Sequence, residues 1–114
     1  MGYRSEVFLG VKKELESKLN EVMIEYGLDH WFTKNEHNFK NDGVDDKWII
    51  YRAEEIKWYE GDEDVDAVTD VIDEFAFDDD SAFAVALGED GALHSEIGVW
   101  FNYLDFKSEI VISK

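Results

Sequence analysis

Asp66, Asp70 and Asp73 recur at i, i+4 and i+7, and Glu63 precedes them in the same rhythm. On a helix that spacing places carboxylates along one face. The axial rise sets them about 5–6 Å apart. A DNA strand carries one phosphate per ~3.4 Å of axis, more widely spaced along the backbone itself. A row of fixed anions on this scale suits cationic side chains. Asp78, Asp79 and Asp80 extend it if their turn lies at the end of the helix. Tyr59 borders the block beside Glu60, and an aromatic anchor next to a charged rim is a common interface design. Glu63, Asp66, Asp70, Asp73, Asp78, Asp79, Asp80 and Tyr59 are therefore the candidate partner-binding residues.

Calcium is a competing chemistry for the same stretch. Asp62, Asp64 and Asp66, followed by Asp70 and Asp73, fall on ligand positions of a possible EF-hand loop. Three departures count against it. Ala67 stands where the sharp turn needs Gly, and Thr69 where an apolar residue is usual. Asp73 is a shorter arm than the closing Glu of that loop. The segment also reads as helix, and it cannot be both.

Other chemistries find little support. His30, His37 and His94 lack helical i, i+4 spacing, so surface or loop positions are expected for them. The chain has no Cys, which removes disulfides, thiolate metal sites and Cys nucleophiles. No G-x-S-x-G, P-loop, G-x-G-x-x-G or H-E-x-x-H occurs. Gly88-Glu89-Asp90-Gly91 carries two acids, the wrong charge to cradle a phosphate. With 28 Asp and Glu, chance carboxylate pairs are guaranteed and signal nothing. The expectation is a protein that is not an enzyme and has no cofactor.

The elements that position these residues follow from periodicity. Val7, Leu9 and Val11 alternate as in a strand. Leu15, Leu19, Val22, Met23 and Tyr26 draw one helical stripe, which Gly27 ends with a left-handed cap. His30-Trp31-Phe32 begins a short strand, and Asn35 to Asp46 reads as a loop or exposed hairpin. Lys47 to Tyr59 is a strand with a bulge or turn at Ala53-Glu54-Glu55, and Trp48 to Tyr51 is buried on both faces. Core packing is expected for Trp31, Trp48, Trp58 and Trp100. A second helix spans about Glu63 to Phe75, with Val65, Val68, Ile72 and Phe75 as its stripe and Gly61 or Asp62 as cap. Asp78-Asp79-Asp80 breaks its pattern. Ala82, Ala84 and Ala86 alternate with Phe83, Val85 and Leu87, and so small a face needs room for a packed helix above it. Strands over Leu93 to Phe101 and Phe106 to Ile112 complete the chain. The expected fold is α+β: a two-layer sandwich, an antiparallel sheet with two helices on one face, ferredoxin-like or related.

The chain has 114 residues, one domain's worth, and 45% are hydrophobic, enough for a core. Its formal net charge is −17. Direct binding to nucleic acid or anionic membrane is disfavoured by that charge. No apolar run approaches the ~20 residues of a membrane span, and no signal peptide is evident. Glu6 occupies the place where a myristoylation motif wants Ser or Thr. The expected location is the cytoplasm. Charge is also unevenly placed. Residues 58–106 contain fifteen acids and no Lys or Arg. Like charges at i, i+4 cost a helix a few tenths of a kcal/mol per pair, and no interleaved Lys offsets this. Solubility alone explains an acidic surface, but stability would favour mixed signs.

The opening Met1-Gly2-Tyr3-Arg4-Ser5-Glu6-Val7, the block Ile56-Lys57-Trp58-Tyr59-Glu60-Gly61 and the later Ala86-Leu87-Gly88-Glu89-Asp90 resemble a set of small acidic proteins of tailed bacteriophages and prophages. The resemblance carries over no functional residue. It implies a phage accessory protein in a bacterial host cytosol, where such proteins often inhibit nucleic-acid enzymes or defence systems, some by imitating DNA. The leading expectation is thus a non-enzymatic inhibitor or DNA mimic. It would bind the basic nucleic-acid-binding surface of a host nuclease, restriction, CRISPR or transcription protein. The alternatives are an immunity-type protein that blocks a basic toxin nuclease, a self-associating assembly protein using the Ser108–Ile112 strand as a sheet edge, and the calcium module.

Overall fold

A computed structural model describes residues 5–39, 43, 45–58, 61–79, 81–88, 93–98, 104–106 and 110–112. Strand β1 (Ser5–Lys12) leads through a 3-10 turn (Lys13–Leu15) into α1 (Glu16–Glu25). A second 3-10 turn (Asp29–Trp31) precedes β2 (Thr33–Asn38) and β3 (Lys47–Ile56). Helix α2 (Glu63–Asp79) is followed by β4 (Ala82–Gly88), β5 (Leu93–Ile97), β6 (Leu104–Phe106) and β7 (Ile110–Ile112). Five strands form one sheet in the order β2-β3-β1-β4-β5, and every neighbouring pair is antiparallel. The fold is α+β. Its first four strands and two helices follow a β-α-β-β-α-β path with β3 between β1 and β2, which is consistent with a ferredoxin-like arrangement.

Both helices pack on one face of this sheet. Val7, Leu9 and Val11 of β1, Ile49, Tyr51 and Ala53 of β3, and the three alanines of β4 form the floor. Leu19 and Met23 descend from α1, and Val65, Val68 and Ile72 from α2. Burying each of these large side chains contributes roughly 1.5–3 kcal/mol. Ala82, Ala84 and Ala86 make the room that the alternation on β4 demands, and α2 fills it.

The opposite face is a second apolar layer. Phe8, Trp48, Ile50, Phe83, Val85 and Leu87 are buried there, with Phe39 and Leu93 packed against them. The central strands are therefore buried on both sides, as the run Trp48-Ile49-Ile50-Tyr51 suggests.

Local chemistry sets the element ends. Gly27 adopts φ +72°, its N–H donates to the Ile24 carbonyl, and the Leu28 N–H donates to the Met23 carbonyl at 2.8 Å. This is a Schellman motif, closed by the buried Leu28 and Met23. On β3 an extra residue bulges where Ser5 and Val7 face Ile56 and Ala53, and Glu55 there takes φ +54°. That matches the irregularity expected at residues 53–55. The Tyr51 hydroxyl donates to Asn20 Oδ1 at 2.6 Å, tying α1 to β3. Burial, with the charge of Glu16, pushes the Tyr51 pKa up, so the phenol keeps its proton as a donor.

Several expectations need correction. The strand expected to begin at residues 30–32 begins at Thr33 and runs to Asn38, and its antiparallel pairing with β3 agrees with the exposed-hairpin reading of Asn35 to Asp46. Its side chains are mostly exposed and polar, so its place comes from pairing with β3 and not from burial. Trp31 lies in the 3-10 turn and is about half exposed, outside the core. Tyr26, past the end of α1, is exposed as well. Helix α2 runs one turn beyond Phe75, through Asp78 and Asp79, because Ala76 continues its buried stripe. Strands β6 and β7 pair with each other and form a ribbon separate from the main sheet. Among the described residues Ile110–Ile112 pairs only with Leu104–Phe106, so it is an edge of this ribbon, while β2 and β5 flank the five-stranded sheet; Ser108 and Glu109 lie outside the described residues. Trp100 lies outside the described residues.

Candidate functional site

Helix α2 begins with three acids in its first turn, Glu63, Asp64 and Asp66, where the positive end of the helix dipole favours them. The Asp66 N–H donates to the Asp62 carbonyl at 2.8 Å. Asp66 Oδ1 in turn accepts the Gly61 N–H at 2.9 Å. This carboxylate is half-buried and holds an exposed backbone donor just before the helix. Asp66 is thus a structural residue of the helix start more than a free member of the acidic row. Replacing it with alanine is expected to cost about 1 kcal/mol, as the loss of a cap does. Thermal melting of Asp66→Ala checks this: an unchanged midpoint would remove the capping role.

The other candidates divide cleanly. Glu63, Asp70 and Asp73 are exposed, and so is Glu74, which the periodic row did not include. Val65, Val68 and Ile72 point the opposite way into the core. Asp78 and Asp79 belong to the last turn of α2, where their side chains lie outside the described residues. Asp80 and Tyr59 lie outside the described residues altogether. Residues 63–73 are helical throughout, so the stretch does not fold as a calcium loop. Among the described residues, no group of three or more His, Cys, Asp or Glu is placed to hold a metal ion.

The aromatic on this face is Phe77, with 89% of its surface exposed. It follows Asp73 by four residues and Glu74 by three, so all three share one side of the helix. The sequence held a signal for it: Phe77 falls off the stripe of Val65, Val68, Ile72 and Ala76.

Ion pairing follows the charge asymmetry of the sequence. Lys13 pairs with Glu36 at 2.7 Å and Lys34 with Glu16 at 2.6 Å, which fastens β2 to the start of α1. Their mutual hydrogen bond raises the Lys13 pKa and lowers that of Glu36. Arg52 bridges Glu6 at 2.6 Å and Glu54 at 2.7 Å. Among the described residues, no cation pairs with Glu63, Asp64, Asp66, Asp70, Asp73 or Glu74.

Comparison with protein-family models, with curated proteins and with solved structures returns no match.

Two further features bear on the functional reading. A cleft of about 640 Å³ opens beside Lys12, Lys13, Glu14, Asp45, Asp46 and Lys47. Its described lining mixes three cations with three acids. Among the described residues, no helix is long and apolar enough to cross a membrane.

Proposed function

We propose that this protein is a non-enzymatic binding protein whose α2 face engages a basic surface on another protein. One observation carries the reading. The described ion pairs formed by Lys and Arg lie on β1, the 3-10 turn after it, β2, β3 and the start of α1, while Glu63, Asp64, Asp66, Asp70, Asp73 and Glu74 of α2 have no cation partner among the described residues. A helix selected for stability alone would interleave lysines with its acids. Charge of one sign held on a rigid scaffold steers an oppositely charged partner and speeds its association. Asp70, Asp73 and Glu74 are exposed within about 6 Å of helix axis, a local density of anions that favours a partner that normally grips nucleic acid. The resemblance to small acidic phage proteins supports the same setting, a host nuclease, restriction, CRISPR or transcription protein in the bacterial cytosol.

The test is capture from bacterial lysate at low and at high salt. The bait is compared with a variant in which Asp70 and Asp73 are both lysine. Both positions are exposed, and unlike Asp66 neither supports the helix start. Basic nucleic-acid enzymes retained by the native protein at low salt, and lost with salt or with the variant, are the expected result. Equal capture by both proteins overturns the proposal. Capture of nothing but the chain itself would favour self-assembly.

A further inference from the structure

Phe77 is the most exposed of the large apolar side chains described, well ahead of Ile24 at 63% and Trp31 at 49%. It stands in the final stretch of α2, where no basic residue occurs. Asp78 and Asp79 follow it in the last turn, at the end where the helix dipole is already negative. Acids there are unfavourable. One turn earlier, Asp73 and Glu74 have no ion-pair partner among the described residues, and Lys18 lies over the neighbouring Phe75 ring, not over Phe77. A bare aromatic ring and carboxylates without an ion pair thus share one address.

Few partner groups satisfy both. An aliphatic side chain would cover the ring and leave the acids unpaired. A lysine ammonium is a compact, strongly hydrated charge that stacks weakly. An arginine guanidinium stacks flat on an aromatic ring and sends its remaining N–H donors to carboxylates. The chain contains one contact of each kind, and only the arginine joins ring and carboxylates: Lys18 Nζ lies 5.8 Å from the centre of the Phe75 ring with no ion pair among the described residues. The guanidinium of Arg52 lies 5.4 Å from the centre of the Phe8 ring while it bonds Glu6 and Glu54.

We infer that the C-terminal half of α2, with Phe77 at its centre and Asp73 and Glu74 beside it, docks an arginine-bearing segment of a basic protein. The inference rests on the reading of α2 as a partner-binding face and adds the identity of the cation. It sets the orientation of the partner too: the arginine seats at the C-terminal end of the helix, and the remaining basic groups run back along Asp70 towards Glu63.

The test is titration of the full chain with arginine and lysine peptides of equal length and charge, followed by fluorescence anisotropy across a salt series. The native protein should prefer the arginine peptide by roughly two- to fivefold, the range of an exposed cation–π contact. Phe77→Ala should abolish that preference without changing the salt dependence. Its side chain is exposed, so the fold should tolerate the change. Asp73→Asn with Glu74→Gln should weaken both peptides and flatten the salt dependence. The control, Glu21→Gln with Glu25→Gln on the exposed side of α1, removes the same charge and should keep the arginine preference. Equal affinity of the native protein for both peptides, or a preference that survives Phe77→Ala, overturns this inference and leaves the α2 reading standing. Identical weakening by the α2 and α1 pairs overturns both, since binding then follows net charge alone. Concentration-dependent dimerisation that Phe77→Ala abolishes would assign the ring to a second copy and also overturn it.

Discussion

Converting Asp70 and Asp73 to lysine is expected to raise the stability of the protein while it abolishes capture of a basic partner. The stability arm follows from helix geometry. Asp70 lies four residues from Asp66 and four from Glu74, so its carboxylate repels one on each side. Lysine at this position turns both pairs attractive. The third pair, between positions 70 and 73, stays like-charged and contributes no change. Each converted pair gains twice a single pair energy of about 0.2–0.5 kcal/mol, so the net gain is roughly 1 kcal/mol. For a domain of this size that raises the melting midpoint by roughly 4 °C or more. The gain should shrink with added salt, because both sites are exposed and screened over about 8–10 Å.

The binding arm moves the other way. Each reversal removes one attraction and adds one repulsion against a basic surface. Even about 1 kcal/mol for each reversal amounts to a loss of more than tenfold in affinity at low salt. Melting curves and capture from lysate, run on the same two preparations, separate the readings. Higher stability with lost capture is what a surface kept acidic for binding predicts, since function then holds the helix away from its stability optimum. Higher stability with unchanged capture would leave the acids as a solubility device. No rise in the midpoint would mean that carboxylate repulsion along α2 is already relaxed, and the frustration argument would fail.

Much of the fold was legible because burial writes periodicity into a chain. The stripe Val65, Val68 and Ile72 defines α2, and the alternation of alanines with Phe83, Val85 and Leu87 defines β4 with its helix above. Strand β2 was legible only as the exposed-hairpin alternative over Asn35 to Asp46. Thr33-Lys34-Asn35-Glu36-His37-Asn38 has no buried face, so only its ladder with β3 and its ion pairs to Lys13 and Glu16 make it a strand. The C-terminal ribbon was missed for a related reason: alternation identifies a strand but not its partner. The acidic row was visible at the level of charge, since helical spacing needs only the sequence. The division of labour within it was not. Asp66 looks like its neighbours until the Gly61 N–H is seen donating to it. Phe77 falls off the buried stripe, but its place on the acidic face shows only once α2 is seen to run past Phe75 to Asp79.

Gly10→Val is expected to be the most damaging single substitution on the central strand. Gly10 sits in the middle of β1, between Ile50 of β3 and Phe83 of β4. Its backbone is not left-handed, so φ freedom is not its purpose. The reason is the neighbouring ring. A Cβ at position 10 would stand 2.2 Å from Cζ of Phe83 and 2.3 Å from a second ring atom. An aromatic laid across a strand glycine covers backbone that would otherwise lack packing. Phe83 has little freedom to retreat. It is fully buried and stacks on the equally buried Trp48 at a centroid distance of 5.4 Å. A side chain on Gly10 therefore displaces both rings and opens the second apolar layer. Overpacking of this kind costs about 1–3 kcal/mol for one methyl, and the branched valine should reach or exceed the upper end. A loss of ~3 kcal/mol lowers the midpoint by roughly 10 °C or more. The milder pair Gly10→Ala and Phe83→Leu tests the cause, since leucine removes the ring that clashes. In a double-mutant cycle the alanine should cost much less in the leucine background, with a coupling of about 1 kcal/mol or more. Strictly additive costs would show that Gly10 is required by the strand itself and not by the ring that crosses it.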